Sequence, residues 1–211
     1  MKRKWKLWMI AFVLFVMTDI MMQSNRAEAK KRTFTVSSKT IPCSSSYRQK
    51  PYYNKKTKQY YMINSYMRRL STTGGTLKLK KGTYKIPGTI YVPSNVKIVC
   101  ANGVKIKKTK ATGTKKVKST KFLFQMISEE KASGKQNTGK YAASKNASIQ
   151  GNGKVIFDMG NVNGATAVFV GHASGITVSG VRFRNKKGGS YIWIEGSKNI
   201  SVRQCVFERK K

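Results

Sequence analysis

The sequence predicts an all-β chain: a solenoid of short parallel strands with one capping helix at its N-terminal side. Three observations lead there. Beyond Gly75 the apolar residues alternate with polar ones in pieces of three to seven residues, each bounded by Gly, Asn, Ser or Pro. Those pieces recur at a nearly fixed offset, which is how a repeat architecture shows itself in sequence. Just ahead of them, Tyr60, Ile63, Met67 and Leu70 follow one another at intervals of 3, 4 and 3, so they share one helical face.

Composition bounds the rest. The chain has 211 residues, 39% of them hydrophobic, which is enough to bury the core of one domain. Its formal net charge is +36, from 43 Lys and Arg against 7 Asp and Glu, and this excludes a site built on a cluster of carboxylates. The single histidine, His172, excludes a multi-histidine metal centre. Cysteines at positions 43, 100 and 205 have no zinc-type spacing, so no metal or cofactor is implied. They read as small buried hydrophobes rather than as a bridge.

Taken in order, residues 1–29 have a basic start, an apolar run from Leu7 to Met17 and a small-residue exit at Ala27-Glu28-Ala29, the layout of a secretory signal peptide. Asp19 interrupts the apolar run well short of the ~20 residues that a bilayer span needs, so no stable membrane span is expected after cleavage. Cleavage removes five basic and two acidic residues, and the positive charge therefore belongs to the mature, secreted protein. Outside the cell a polycation meets acidic polysaccharides and anionic cell-wall polymers, and these are the expected partners. Tyr52, Tyr53, Tyr60 and Tyr61 lie among lysines, but export argues against a nucleic-acid partner.

Residues 30–56 carry Pro42, Pro51 and the run Ser44-Ser45-Ser46, and read as a polar leader or linker. Thr57 is the expected N-cap of the helix, Arg68 and Arg69 suit its C-terminal end, and Gly74-Gly75 stops it. The solenoid then occupies the remainder, so that 57–211 form the capping helix and the coils. Ile176, Val178, Val181 and Phe183 recur as Ile200, Val202, Cys205 and Phe207, 24 residues on, and Val168 and Val170 recur as Ile192 and Ile194. An earlier copy puts Ile149 and Phe157 opposite Val178 and Phe183. Asn95, Asn146, Gly175 and Asn199 occupy the same corner of successive coils, where a left-handed backbone is needed and where stacked Asn side chains can bond along the ladder. Alternation sends Val181, Phe183, Cys205 and Phe207 inward and Arg182, Arg184, Val206 and Glu208 outward. Asp158, Arg184 and Glu208 then form one exterior column of acid, base, acid.

These residues also carry a resemblance. The stretch GGTLKLKKGTYKIPGTIYVPSNVKIVCANGVKI resembles the opening coils of the pectate-lyase-like right-handed parallel β-helix proteins, with NASIQGNGKVIFD and SKNISVRQCVF similar to later coils, over roughly Tyr60 to Phe207. The resemblance implies a right-handed single-stranded parallel β-helix and a polysaccharide-related role. It does not choose among pectate lyases, polygalacturonase-type hydrolases, epimerase-like proteins, tailspikes and wall-associated proteins.

Hydrolysis in its usual form needs two carboxylates roughly 5 to 9.5 Å apart. Glu129 and Glu130 fall in a polar insertion read as a solvated loop. Asp158 closes a Gly-x-Gly coil where the resembling hydrolases carry a structural acid. A lyase would use Arg or Lys as base, and Arg182 and Arg184 are the available exterior arginines. His172 follows Val170-Gly171 at a strand end, where similar proteins carry a Gly-His motif; their second Gly-His-Phe-x-Glu reads here Gly189-Ser190-Tyr191-Ile192-Trp193, with Glu195 two residues beyond. The catalytic candidates are thus Asp158, His172 and Glu195, and the substrate-contacting candidates Arg182, Arg184 and Trp193. The last strand ends at Phe207, four residues before Lys211, with no capping element, so the chain reads as the N-terminal part of a longer protein whose catalytic residues lie further on. Two functions follow from this reading: a polysaccharide-processing protein of lyase or hydrolase type acting on or binding an acidic polysaccharide, or a non-enzymatic wall-binding adhesin.

Overall fold

The computed structural model describes residues 32–49, 52–134 and 139–208. In chain order they form β1 (Arg32–Val36), α1 (Ser45–Arg48), α2 (Lys58–Leu70), β2 (Gly75–Leu79), β3 (Gly82–Ile86), β4 (Ile90–Tyr91), β5 (Val96–Cys100), β6 (Val104–Lys108) and β7 (Phe122–Gln125). There follow α3 (Glu129–Ser133), β8 (Ser148–Gly151), β9 (Ile156–Asp158), β10 (Thr166–Gly171), β11 (Ser174–Ser179), β12 (Arg182–Arg184), β13 (Ile192–Glu195), β14 (Lys198–Arg203) and β15 (Val206–Phe207). The expected signal peptide lies outside the described residues. Among the described residues no helix is long and apolar enough to cross a membrane.

The strands form three parallel sheets, in the orders β1-β2-β5-β8-β11-β14, β13-β10-β7-β4 and β15-β12-β9-β6-β3. The chain visits the sheets in turn and climbs one rung per circuit, which is a parallel β-helix. Its register is the one the repeats imply: Ile176 faces Ile200, Val178 faces Val202 and Ile149, and Phe183 faces Phe207 and Phe157. Short strands suffice because each rung buries its inward side chains against the rungs above and below. Leu77, Ile98, Ile149 and Val178 form one fully buried column, each contributing about 1.5–3 kcal/mol of burial. Aromatic rings form another, with Phe124 on Phe157 at 5.2 Å, Phe157 on Phe183 at 5.4 Å and Phe183 on Phe207 at 5.3 Å. The corner residues Asn95, Asn146, Gly175 and Asn199 all have φ between 52° and 64°. The ladder there is carried by the main chain rather than by stacked Asn amides: Asn95 N donates to Lys145 O and Asn146 N to Ser174 O. All three cysteines are free, and burial pushes the Cys100 thiol up to about 12.

The stretch read as a polar leader is part of the fold. Thr33 to Val36 alternates over too few residues to stand out among lysines and serines, yet Phe34 and Val36 turn inward and β1 pairs along its whole length with β2. The capping helix α2 spans the expected residues, but Thr57 does not cap it through its side chain. Its hydroxyl donates instead to Tyr52 O at 2.6 Å and accepts from Asn54 N at 2.9 Å. Met62, Ile63, Met67 and Leu70 close the end of the core.

Two amides of α2 also satisfy strand edges. Asn64 donates to Thr89 O at 3.0 Å and accepts from Tyr91 N at 3.1 Å, while Gln59 donates to Thr83 O at 3.2 Å and accepts from Lys85 N at 2.6 Å. The outer edges of β4 and β3 are thereby paired by side chains.

One inward strand position among the described residues carries a charge. In β6 the alternation that buries Val104 and Ile106 also buries Lys108, which has no exposed surface. Its ammonium donates to Pro87 O (2.9 Å), Gly88 O (3.1 Å), Phe122 O (2.9 Å) and Thr120 Oγ1 (3.2 Å), with no carboxylate in the set. Burial pulls it down to about 7.

Candidate functional site

The six residues singled out from the sequence divide between two outer faces. On the sheet containing β9 and β12, Arg184 lies in register with Asp158, as the expected column requires. The carboxylate is nevertheless only 3% exposed, held by Lys105 Nζ at 3.1 Å and Arg184 Nη2 at 3.3 Å, and it accepts from Asn185 Nδ2 at 2.9 Å and Gly160 N at 3.0 Å. Burial alone would raise the Asp158 carboxyl, but the bonds from Asn185 and Gly160 and the Lys105 ammonium outweigh it and hold it below the usual carboxylate range. A carboxylate so enclosed is a structural counter-ion. The third member, Glu208, follows Phe207 in register with Phe183 and so falls in the column, but its carboxylate pairs with Arg182 at 2.9 Å rather than with Arg184. Arg182 and Arg184 line a groove of about 540 Å³ together with Ile156, Val206 and Glu208.

On the sheet containing β10 and β13 the outer face is aromatic. Register aligns Tyr91, Gln125, Phe169 and Trp193 across successive rungs. Phe122 stacks on Phe169 at 4.6 Å with 10° between the rings, and Trp193 meets Phe169 edge-on at 5.1 Å. Trp193 is 46% exposed. Two residues further along β13, on the same outer side, Glu195 lies opposite Gly171. His172 occupies the following corner at φ 51°, its N–H donating to Glu195 O at 3.0 Å. Its ring rests on Gly196, where any Cβ would come within 2.9 Å of Cε1. The hollow beside it, about 770 Å³, is lined by Lys140, Tyr141, His172, Ile194, Gly196 and Ser197. Lys198 Nζ sits 4.6 Å from the centre of the Tyr141 ring.

The fold thus places Trp193 and Glu195 on the outer side of β13 and His172 at the corner after β10, where it meets the Glu195 main chain, and leaves Asp158, Arg182 and Arg184 on another sheet. The state of the acids separates the two groups. Glu129 and Glu130, expected in a solvated loop, begin α3; Glu129 accepts from the Tyr47 hydroxyl at 2.8 Å and Glu130 lies 3.6 Å from Arg68. Burial first, and Glu129 second, push the Tyr47 phenol up. Among the described residues Glu195 is the acid whose carboxylate has no ion pair or hydrogen bond. Sequence reasoning missed Phe122, Phe169, Tyr141 and Lys198. Phe169 was within reach, because the 24-residue offset that reveals the solenoid also places it beneath Trp193.

The fold and its register define a parallel β-helix protein. Among solved structures, similar ones are PfbA, a surface adhesin of Streptococcus pneumoniae, with a TM-score of 0.51 and 16% identity over 71% of this chain, and an iota-carrageenase of family GH82 from A. fortis, with a TM-score of 0.48 and 18% identity over 71% of this chain. This chain spans 34% of the first and 40% of the second. No protein-family model matches it, and no curated protein does.

Proposed function

We propose that this is an exported, pectate-lyase-like β-helix protein that binds an acidic polysaccharide or another anionic wall polymer. The observation that carries this reading is the pairing of the acids. With Asp158, Glu130 and Glu208 paired with cations, the described residues offer an excess of positive charge, and Asp158 and Glu195 stand on different sheets rather than across one cleft. Retention of the protein on immobilised polygalacturonate, alginate and pectin tests it. Binding is expected at low ionic strength and is lost as the Debye length shrinks toward ~3 Å near 1 M salt. Retention unaffected by salt, or none at all, overturns the proposal.

A second reading, turnover of the same class of polymer, is favoured by one arrangement: Glu195, whose carboxylate has no ion pair or hydrogen bond among the described residues, stands on the outer side of the same strand as Trp193, and its main-chain carbonyl accepts from the His172 N–H. Turnover by lyase chemistry would give unsaturated products absorbing in the ultraviolet, and hydrolysis new reducing ends. Either product must vanish in Glu195→Gln or His172→Ala for the corner to be the site.

A further inference from the structure

The six-stranded sheet has an outer face that none of the sequence-derived candidates touches, and its chemistry differs from that of the other two. In parallel register, outward side chains form columns that run across the rungs. One column is Lys97, Ser148, Thr177, Ser201, and its neighbour is Val99, Gln150, Ser179, Arg203. Neither contains an acid or an aromatic ring. Ser148, Gln150, Thr177 and Ser179 are half-exposed, and their side chains have no hydrogen-bond partner among the described residues. The surface there is concave: a depression of about 390 Å³ bounded by Lys97 and Arg203 holds those four side chains, and a second of about 380 Å³ continues it past Lys97 and Ser148 toward Thr76.

We infer that this face is the groove in which an acidic glycan lies, its chain running along the solenoid axis across the rungs. The inference rests on the polysaccharide-binding reading above and assigns it a surface. Rungs about 4.8 Å apart present a hydroxyl or amide at each of three consecutive steps, β8, β11 and β14, and such groups both donate to and accept from sugar hydroxyls. Lys97 and Arg203 lie three rungs apart, about 14 Å, and offer two unpaired cations to carboxylate or sulfate groups. The competing faces are less suited. Arg182 is already paired with Glu208 and both Lys105 and Arg184 are drawn to Asp158, and among the described residues the aromatic face carries no row of free hydroxyls. A single-stranded nucleic acid would require stacking rings that this groove lacks.

The test is calorimetric titration of the intact protein with polygalacturonate oligomers at low salt. It compares Ser148→Ala, Thr177→Val and the double variant Lys97→Gln/Arg203→Gln with Lys107→Gln, a control on another sheet. All these side chains point outward, and circular dichroism verifies that each variant retains the wild-type spectrum. The hydroxyl variants are expected to bind about threefold to tenfold more weakly, and the double charge variant at least about tenfold more weakly with a flatter salt dependence, the control staying within about twofold. If the wild type binds and the groove variants bind equally well, or if the control loses as much as they do, the groove assignment falls while the binding proposal stands. A wild type that binds none of the oligomers overturns both.

Discussion

Replacing Lys108 with methionine probes the one charged side chain among the described residues that has no exposed surface. The variant keeps the length and apolar volume of the side chain and removes its donors. Pro87 O retains Thr120 N at 3.2 Å and Ser119 Oγ at 3.0 Å, and Phe122 O retains Thr89 Oγ1 at 3.1 Å, but Gly88 O loses the one donor described for it. One orphaned buried carbonyl costs about 1–3 kcal/mol, offset at pH 7 by relief from burying a partly charged amine. The sign of the pH effect follows from linkage. The ammonium's value of about 7 in the fold lies below its unfolded 10.5, so between these limits the unfolded chain binds more protons and wild-type stability rises with pH. The full span corresponds to a ceiling of about 5 kcal/mol, and the four oxygens around the ammonium reduce it, because they favour the charged form. In urea denaturation, the stability of wild type relative to Lys108→Met is therefore expected to grow by about 2–4 kcal/mol from pH 7 to pH 10. Contributions from the remaining lysines are common to both proteins and cancel. Parallel stability curves over that range would refute the reasoning.

Further expectations concern the cap, the corner and the buried acid. Asn64→Ala unpairs Thr89 O and Tyr91 N at the edge of β4 and is expected to lower stability by about 2–3 kcal/mol in the same urea assay; a change below about 0.5 kcal/mol would show that the amide grip is dispensable. Gly175→Ala forces a Cβ to within 2.7 Å of Asn146 Oδ1 at φ 64°, for an expected loss of about 1–2 kcal/mol. Asp158→Asn leaves Lys105 and Arg184 without their counter-ion, and near pH 6 it should cost about 1–3 kcal/mol. Because the folded carboxyl sits below its unfolded value, the wild type's advantage is present above about pH 4 and disappears as pH falls through the folded value, so the two proteins converge in acid.

Much of the fold was legible because a solenoid repeats its own solution. An offset of 24 residues fixes the register of Ile176 on Ile200 and Phe183 on Phe207 without knowledge of any contact. Gly, Asn and their left-handed backbone marked the same corner four times. The repeat says nothing about β1, which lies before the first full coil and shows only Phe34 and Val36 as inward residues. Lys108 escaped for a different reason: strand parity and side-chain polarity disagree there, and parity prevailed because three main-chain carbonyls and the Thr120 hydroxyl supplied four oxygens. At the site, the 24-residue offset placed Glu195 opposite Gly171 and so beside His172. Phe122 could not be foreseen on the aromatic face, since the irregular stretch 109–121 breaks the period before it. The column of Asp158, Arg184 and Glu208 follows from the register of Phe183 on Phe207, but not the ion pairing, as Arg182 reaches the Glu208 carboxylate at 2.9 Å from the neighbouring outward position.

The way α2 holds its two strands gives the stack a polarity. Cross-β assemblies lengthen when a foreign segment docks on an open row of peptide groups and copies the register beneath it. At β3 and β4 the side chains of Gln59 and Asn64 already satisfy the groups such a segment would need, and they belong to a helix, whose own peptides are satisfied internally and cannot pass the template on. Loss of either amide would therefore do more than loosen a lid: it would turn a terminus into a nucleation site, and self-association seeded from that end should rise in step with the fraction of time the helix spends detached.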